Sequence, residues 1–189
     1  MINAVKIIVL MLSALLSLPS CAGEPKRIEE IQTRFSIWQP LIKSEQKNAA
    51  VVYRYAWGNN FEKEEWSTTL IKSDEKRLAE KVTLIKHKTG SWVQKEDFSF
   101  SGDWVIASEH YYDEEGKLFF VFWKMNTFQA EEPVTVEKRL YFDKQGKVVR
   151  NLVAVYKLNT QQETKASFMD RDVAYETSFS KQDFLKHLQ

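Results

Sequence analysis

Cysteine is almost absent from this chain of 189 residues, because Cys21 is the only one. The chain after it therefore has no disulfide, no thiolate zinc site, no iron–sulfur cluster and no cysteine nucleophile. We expect packing alone to stabilise the domain, and we expect no cofactor.

The chain also lacks an excess of positive or negative charge. It has 27 Lys and Arg residues and 26 Asp and Glu residues, so its net charge is +1. Nucleic-acid binding depends on a strong positive field around the protein. The sequence therefore indicates no nucleic-acid partner. With 43% hydrophobic and 13% aromatic residues, the composition is typical of a folded globular domain.

Long apolar runs are missing too. The longest, Ile7 to Leu18, spans 12 residues, whereas a membrane-spanning helix needs about 20. Lys6 precedes this run and the small residues Ser20-Cys21-Ala22 follow it, which is the order of regions in a secretory signal. We predict a signal peptide over residues 1–22, a single domain over residues 23–189, and no transmembrane helix in the mature protein.

The end of the signal segment permits two cleavage schemes. Ser20-Cys21-Ala22 fits release of a soluble periplasmic protein after Ala22. Leu18-Pro19-Ser20-Cys21 resembles the signal of bacterial lipoproteins, and the sole cysteine lies where acylation would require it. The resemblance implies that Cys21 is lipidated and becomes the mature N-terminus, and that Ala22 directs the protein to the outer membrane. The sequence thus favours the envelope of a bacterium, on the periplasmic side, with a lipid anchor as the only membrane contact.

A polar helix with one apolar stripe is predicted to open the domain. After Pro25, apolar residues recur at three- and four-residue steps among charged ones, which is the pattern of an amphipathic helix. The stripe consists of Ile28, Ile31, Phe35, Trp38 and Ile42. Pro40 has no N–H to donate and clashes with the preceding turn, so we expect the helix to stop or bend near Gln39.

Short β-branched and aromatic runs, separated by turn residues, follow Asn48 and predict eight strands. The connections are too short for crossover helices, so neighbouring strands should pair antiparallel as the hairpins of a meander. The predicted fold class is α+β, with the meander forming a curved sheet or a half-open barrel. The predicted strands are Ala49–Trp57, Trp66–Lys72, Leu78–Lys88, Trp92–Phe100, Trp104–Tyr112, Lys117–Met125, Val134–Phe142 and Lys147–Leu158.

Two of these strands indicate which faces of the sheet are covered. From Val134 to Phe142, apolar and polar residues alternate, which is typical of a sheet that is wet on one side. Leu118 to Trp123 is apolar on both faces. That strand is therefore either central and covered by the helix, or it lines a cavity.

One pattern occurs twice at a spacing of 30 residues, in Tyr111–Leu118 and Tyr141–Val148. Each copy predicts a strand, an Asp-initiated turn with Gly, and a second strand. The pattern is similar to the Tyr-Asp-x-x-Gly repeats of some secreted bacterial β-proteins, but two copies are too few for a solenoid. Hairpin chemistry explains both turns, because Asp and Gly are the residues that such turns need.

The C-terminal residues predict a short helix docked on the sheet. Ser180 would be its N-cap, Asp183 would follow at the third helical position, and Phe179 and Phe184 would form a hydrophobic staple. Before this helix, residues 167–177 are predicted to form a ninth strand.

No local catalytic or metal-binding motif is present. The three histidines, His87, His110 and His187, show no zinc-ligand spacing, so we predict no metal site. On a strand, Ser108 and His110 share a face about 7 Å apart, which is too far for the hydrogen bond of a catalytic pair. We assign no catalytic residue, and the sequence favours a non-catalytic protein without excluding an enzyme.

Aromatic residues on the predicted strands are the remaining signal, and they form either core or a binding surface. The predicted surface for a ligand or partner consists of Trp104, His110, Tyr112 and Trp123. We expect a non-catalytic envelope protein that binds an envelope protein or an apolar ligand through its sheet. Two alternatives stay open, a periplasmic carrier of lipid or another hydrophobic ligand and a hydrolase centred on His110.

Overall fold

The computed structural model describes residues 23–57 and 62–188. The predicted signal peptide and its lipidation residue, Cys21, lie outside the described residues and stay predictions. Within the described part of the chain, no helix is both long enough and apolar enough to cross a membrane.

The described chain begins with the helix α1 (Gly23–Glu45). The helix does not end before Pro40 as predicted, because the proline lies inside it. Proline removes the backbone hydrogen bond to the carbonyl of Ser36, but both residues are exposed, so water can bind that carbonyl. Trp38 before the proline and Leu41 after it both pack in the core, and they hold the two halves of the helix against the sheet.

Eight antiparallel strands follow and form one open sheet, which confirms the predicted α+β fold class. Their bounds are β1 (Ala50–Trp57), β2 (Lys63–Ser67), β3 (Leu78–His87), β4 (Gly90–Phe98), β5 (Trp104–Tyr112), β6 (Leu118–Thr127), β7 (Val134–Phe142) and β8 (Val148–Lys157). The order across the sheet is β2-β1-β3-β4-β5-β6-β7-β8, so β2 and β8 are its edges.

Strand β2 departs from the predicted meander. Strand β1 pairs with both β2 and β3, so β2 and β3 are not neighbours. Strand β1 has a neighbouring strand on each side. Three of its residues are buried: Val52, Tyr55 and Ala56. Strand β2 has five residues and begins with Lys63-Glu64-Glu65, which suits an edge that faces water. From β3 to β8 the strands follow the meander.

Both faces of the sheet are covered. On one face, called the helix face, α1 packs against Trp92, Tyr111, Phe120 and Tyr141. On the other, called the strap face, residues 159–188 form a C-terminal strap over the larger apolar cluster. Phe184 of the strap is fully buried in that cluster.

The sequence predicted that one face of β7 is exposed to water, and this prediction is wrong at both ends of the strand. Tyr141 is buried because it packs in the cluster that α1 covers. Thr135 is buried too, and its hydroxyl donates to Asn126 Oδ1 at 2.8 Å. Strand β6, by contrast, is covered on both faces as expected, with Phe120 on the helix face and Trp123 on the strap face.

The repeated pattern forms two hairpin turns of the same geometry. In each turn, the aspartate side chain accepts hydrogen bonds from the backbone N–H groups two and four residues further on, at 2.8 to 3.0 Å. The aspartates are Asp113 and Asp143. Gly116 and Gly146 have φ values of 75° and 82°, which glycine adopts without strain. The hairpin explanation of the repeat is confirmed.

The ninth strand predicted over residues 167–177 does not form. The chain there crosses the strap face of the sheet. Near its two ends, Phe168 forms a backbone bridge with Ala130, and the carbonyl of Thr177 accepts a hydrogen bond from the N–H of Leu118 at 3.0 Å. Side chains hold the middle of the segment in place. Lys138 of β7 donates to Asp170 Oδ1 at 2.6 Å and to the carbonyl of Arg171 at 2.7 Å.

The predicted C-terminal helix is replaced by two short 3-10 turns, Phe179–Lys181 and Asp183–His187. The expected N-cap is not formed, because the hydroxyl of Ser180 pairs with that of Ser178. Gln182, between the turns, is extended and buried, and its amide donates to the hydroxyl of Tyr112. This buried hydrogen bond favours the extended backbone over a continuous helix.

Candidate functional site

A cleft of about 430 Å³ opens on the helix face beside α1. The helix supplies one wall through Ile31 and Phe35, and the sheet supplies the floor through Phe120, Phe122 and Tyr141. Four polar residues complete the lining: Gln32, Gln39, Glu109 and Arg139. The cleft is therefore mostly aromatic, with a few polar groups at its sides.

Two successive rows of side chains across the sheet produce this cleft. The first row is aligned by cross-strand pairing and consists of Tyr111, Phe120 and Tyr141. The second row lies two residues further along each strand and consists of Glu109, Phe122 and Arg139. Helix α1 packs on the first row through Phe35, whose ring centroid lies 5.3 Å from that of Tyr111 and 5.2 Å from that of Phe120. The second row is only partly buried. The cleft lies over this second row, next to the first row that α1 covers.

Glu109 is the acidic group of the cleft. Its Oε2 accepts a hydrogen bond from the indole N–H of Trp92 at 3.2 Å and another from the hydroxyl of Tyr111. Gln39 of α1 donates in turn to the Tyr111 hydroxyl at 3.4 Å. Burial, followed by the charge of Glu109, raises the pKa of Tyr111, so this hydroxyl keeps its proton. The network holds the carboxylate in one orientation.

Arg139 is the basic group of the cleft. Its guanidinium forms an ion pair with Glu137 at 2.9 Å, so its charge is already compensated. Its Cζ also lies 5.5 Å from the centroid of the Phe122 ring, a cation–π contact. The electronegative face of Phe122 is thus already used by a cation.

The structure places the four residues of the predicted binding surface on the strap face, away from this cleft. His110 and Tyr112 are fully buried, Trp123 is 3% exposed, and Trp104 is half-buried. None of the four lines the cleft. Their role in binding stays a prediction.

The C-terminal strap contacts two of these four residues directly. The hydroxyl of Tyr112 donates to the carbonyl of Glu176 at 3.0 Å. The guanidinium carbon of Arg171 lies 4.4 Å from the centroid of the Trp104 ring. A ligand that reached His110 or Tyr112 would have to displace the strap, whereas Trp104 and Trp123 each line a pocket beside it.

A polar cavity of about 670 Å³ lies between the strap and the sheet. Glu80 on its wall pairs with Arg54 at 2.9 Å. Asp97, beside Glu80, has no ion pair among the described residues. Burial, followed by the charge of Glu80, raises the pKa of the Asp97 carboxyl to about 6. The cavity wall thus carries an acidic pair of which one member is easily protonated.

Ser108 lines this polar cavity and hydrogen-bonds to His110, which the sequence did not predict. The distance from Ser108 Oγ to His110 Nε2 is 2.9 Å. The spacing argument was wrong because the rise of a strand separates the Cα atoms, whereas the tips of two neighbouring side chains can converge.

The Ser108–His110 pair nevertheless lacks the features of a catalytic centre. Burial, followed by the charge of Lys95, lowers the pKa of His110 to about 3, so its imidazole is neutral and a weak base. Its Nδ1 is buried and has no hydrogen-bond partner among the described residues, so no carboxylate orients the ring as in a catalytic triad. The pair is best understood as a structural contact.

Sequence reasoning identified parts of the cleft without assembling them. The helical stripe contained Ile31 and Phe35, and the doubly apolar strand contained Phe120 and Phe122. The sequence analysis gave Glu109 no role in ligand binding, and its side chain lies on the face of β5 opposite to that of His110. In the part of the chain that the structure describes, no three His, Cys, Asp or Glu side chains gather in a way that could hold a metal ion.

Comparisons with protein-family models, with curated proteins and with solved structures found no match to this chain.

Proposed function

We propose that this protein is a non-catalytic component of a bacterial cell envelope that binds a small apolar ligand in the cleft beside α1. The observation that carries the proposal is the cleft itself, about 430 Å³ of space lined by aromatic rings next to an oriented carboxylate. Small-molecule sites are typically concave, mostly apolar, furnished with a few placed polar groups, and about 300 to 1,000 Å³ in volume.

The envelope location rests on the sequence alone. The basic residue, apolar run and small residues within positions 1–22 support export. The position of the sole cysteine, Cys21, supports a lipid anchor, and Ala22 after it supports an outer-membrane destination through the resemblance to lipoprotein signals. A partner protein of the envelope that inserts an apolar side chain would use the same cleft.

A carrier of whole lipid molecules is less well supported. Such a carrier needs an interior that encloses long acyl chains. The sheet is open, α1 and the strap pack on its two faces, and the cleft of about 430 Å³ is of the size of a small-molecule site.

A hydrolase is the second candidate, because the 2.9 Å contact between Ser108 and His110 lies at the wall of the polar cavity. Against it stand the lowered pKa of His110 and the unpartnered Nδ1 described above. The non-catalytic assignment is therefore the one we propose.

Binding of a neutral apolar fluorophore tests the proposed function. N-phenyl-1-naphthylamine becomes fluorescent in apolar surroundings, and we expect one saturable site per chain. Phe122→Ala removes part of the floor of the cleft and should weaken binding at least about tenfold, equivalent to about 1.4 kcal/mol. Because Phe122 is only partly buried, the variant should remain folded, which its circular dichroism spectrum checks.

Val105→Ala is the matched control for this experiment. Val105 lies on the same strand and face as Glu109, is 40% exposed, and does not line the cleft. The control should bind the fluorophore as the wild type does. No saturable binding by the wild type, or equal affinities of the wild type and Phe122→Ala, would refute the proposal.

A further inference from the structure

We propose that the cleft selects ligands whose apolar part carries an organic cation, such as an alkylammonium group, and that Glu109 is the residue that selects them. The inference rests on the proposed function of the same cleft and names the chemical class of its ligand.

The first support is the arrangement of the Glu109 carboxylate. Both of its protein donors, the Trp92 indole and the Tyr111 hydroxyl, bind the same oxygen, Oε2. Among the described residues, Oε1 has no hydrogen-bond partner, and no cationic side chain pairs with the carboxylate within 4.0 Å. Glu109 therefore offers the cleft a negative group that is oriented but not neutralised.

The second support is the aromatic surround. Phe35 and Phe120 have ring centroids 5.2 Å apart, and Phe120 and Tyr141 have centroids 5.0 Å apart, so the rings form a continuous patch. The faces of aromatic rings attract cations, and sites for quaternary ammonium groups are built from several such rings. Aromatic rings together with one unpaired carboxylate suit an organic cation.

The third support is that the cleft is poorly suited to an anion. Arg139 is the only cationic residue among the described residues that line the cleft, and Glu137 already pairs with it at 2.9 Å. An anionic ligand would have to compete with Glu137 for this guanidinium, whereas a cationic ligand meets Glu109 without a competitor.

Three decyl compounds that differ only in the head group test the inference: decyltrimethylammonium, decanol and decanoate. Each is used to displace N-phenyl-1-naphthylamine from the wild-type protein, below the concentration at which it forms micelles. We expect the cation to bind at least about tenfold more tightly than the anion, with the alcohol between them. This comparison needs no variant, so it stands whether or not a variant folds.

Two variants then assign the preference to Glu109. Glu109→Gln should reduce the preference for the cation over decanol about tenfold, whatever its effect on the affinity for the neutral fluorophore. The matched control is Glu96→Gln, which removes a carboxylate on the same face that pairs with Lys81 and does not line the cleft. The control should keep the preference for the cation.

The outcomes separate the inference from the proposed function. If the fluorophore binds at one site but the three head groups bind equally, or if Glu109→Gln keeps the cation preference, the inference is wrong and the apolar site stands. If the fluorophore does not bind, the proposed function fails and the inference fails with it.

Discussion

Replacing Gly90 by alanine should lower the free energy of unfolding more than the same replacement at any other described glycine. Gly90 begins β4 with a φ of 135°, which residues with a side chain rarely adopt. A Cβ there would lie 2.0 Å from the backbone carbonyl oxygen of Tyr112, on the neighbouring strand β5. Because that atom belongs to the backbone, the two strands must separate. The backbone strain and the overpacking together should cost on the order of 4 kcal/mol of unfolding free energy, measured by urea denaturation.

Gly102→Ala is the control for this prediction. Gly102 also has a positive φ, 79°, but no atom lies within 4 Å of the position that its Cβ would take. Only backbone strain then applies, and we expect a cost of about 1 kcal/mol. Similar losses of stability in the two variants would show that the tight approach between Gly90 and Tyr112 is not present in the protein.

His110 should make the fold less stable as the pH falls, and the effect should be large. Its pKa is lowered from the usual 6.5 to about 3 in the folded protein. Below pH 6.5 the unfolded chain therefore binds a proton that the folded protein does not, so stability falls as the pH drops from 6.5 toward 3. Because the unfolded histidine is half protonated at pH 6.5, the drop from pH 6.5 to pH 4.5 corresponds to about 2 kcal/mol. His110→Gln should remove this loss, so the free-energy difference between wild type and variant should shift by about 2 kcal/mol between these two pH values.

Asp97→Asn is the matched control, with the opposite sign. The Asp97 carboxyl has its pKa raised from the usual 3.8 to about 6 in the folded protein. The folded protein therefore takes up this proton first, and stability due to Asp97 is gained as the pH falls from 6 to 3.8. Relative to wild type, Asp97→Asn should be more stable at pH 7 and lose that advantage near pH 4. Parallel pH profiles for the wild type and both variants would contradict the buried position of His110 and the partly buried position of Asp97.

The strands could be predicted well because their signals are local. Trp104–Tyr112 and Val134–Phe142 were predicted to the residue, since an Asp-initiated turn with Gly follows each strand and a turn residue, Asp103 or Pro133, precedes it. The position of β2 outside β1 could not be predicted, because it depends on which strand edge can tolerate water in the assembled sheet. The continuation of α1 through Pro40 likewise depends on the sheet beneath it, against which Trp38 and Leu41 pack.

The candidate site was harder to predict than the fold. The sequence indicated that Phe120 and Phe122 belong to a strand that is covered or lines a cavity, and both are true of β6. The sequence could not show where α1 crosses the sheet, and that crossing decides which row of side chains stays open. The residues chosen from sequence, such as Trp123, lie on the opposite face, which the C-terminal strap covers. The sequence could not show which face the strap covers either.

Intermolecular nuclear Overhauser effects between bound N-phenyl-1-naphthylamine and aromatic side chains will show on which face of the sheet the ligand lies. For a site on the helix face, we expect contacts from the fluorophore to the ring protons of Phe35 and Phe122. Contacts to the indole protons of Trp104 and Trp123 would instead place the ligand on the strap face, and the proposed site would be wrong.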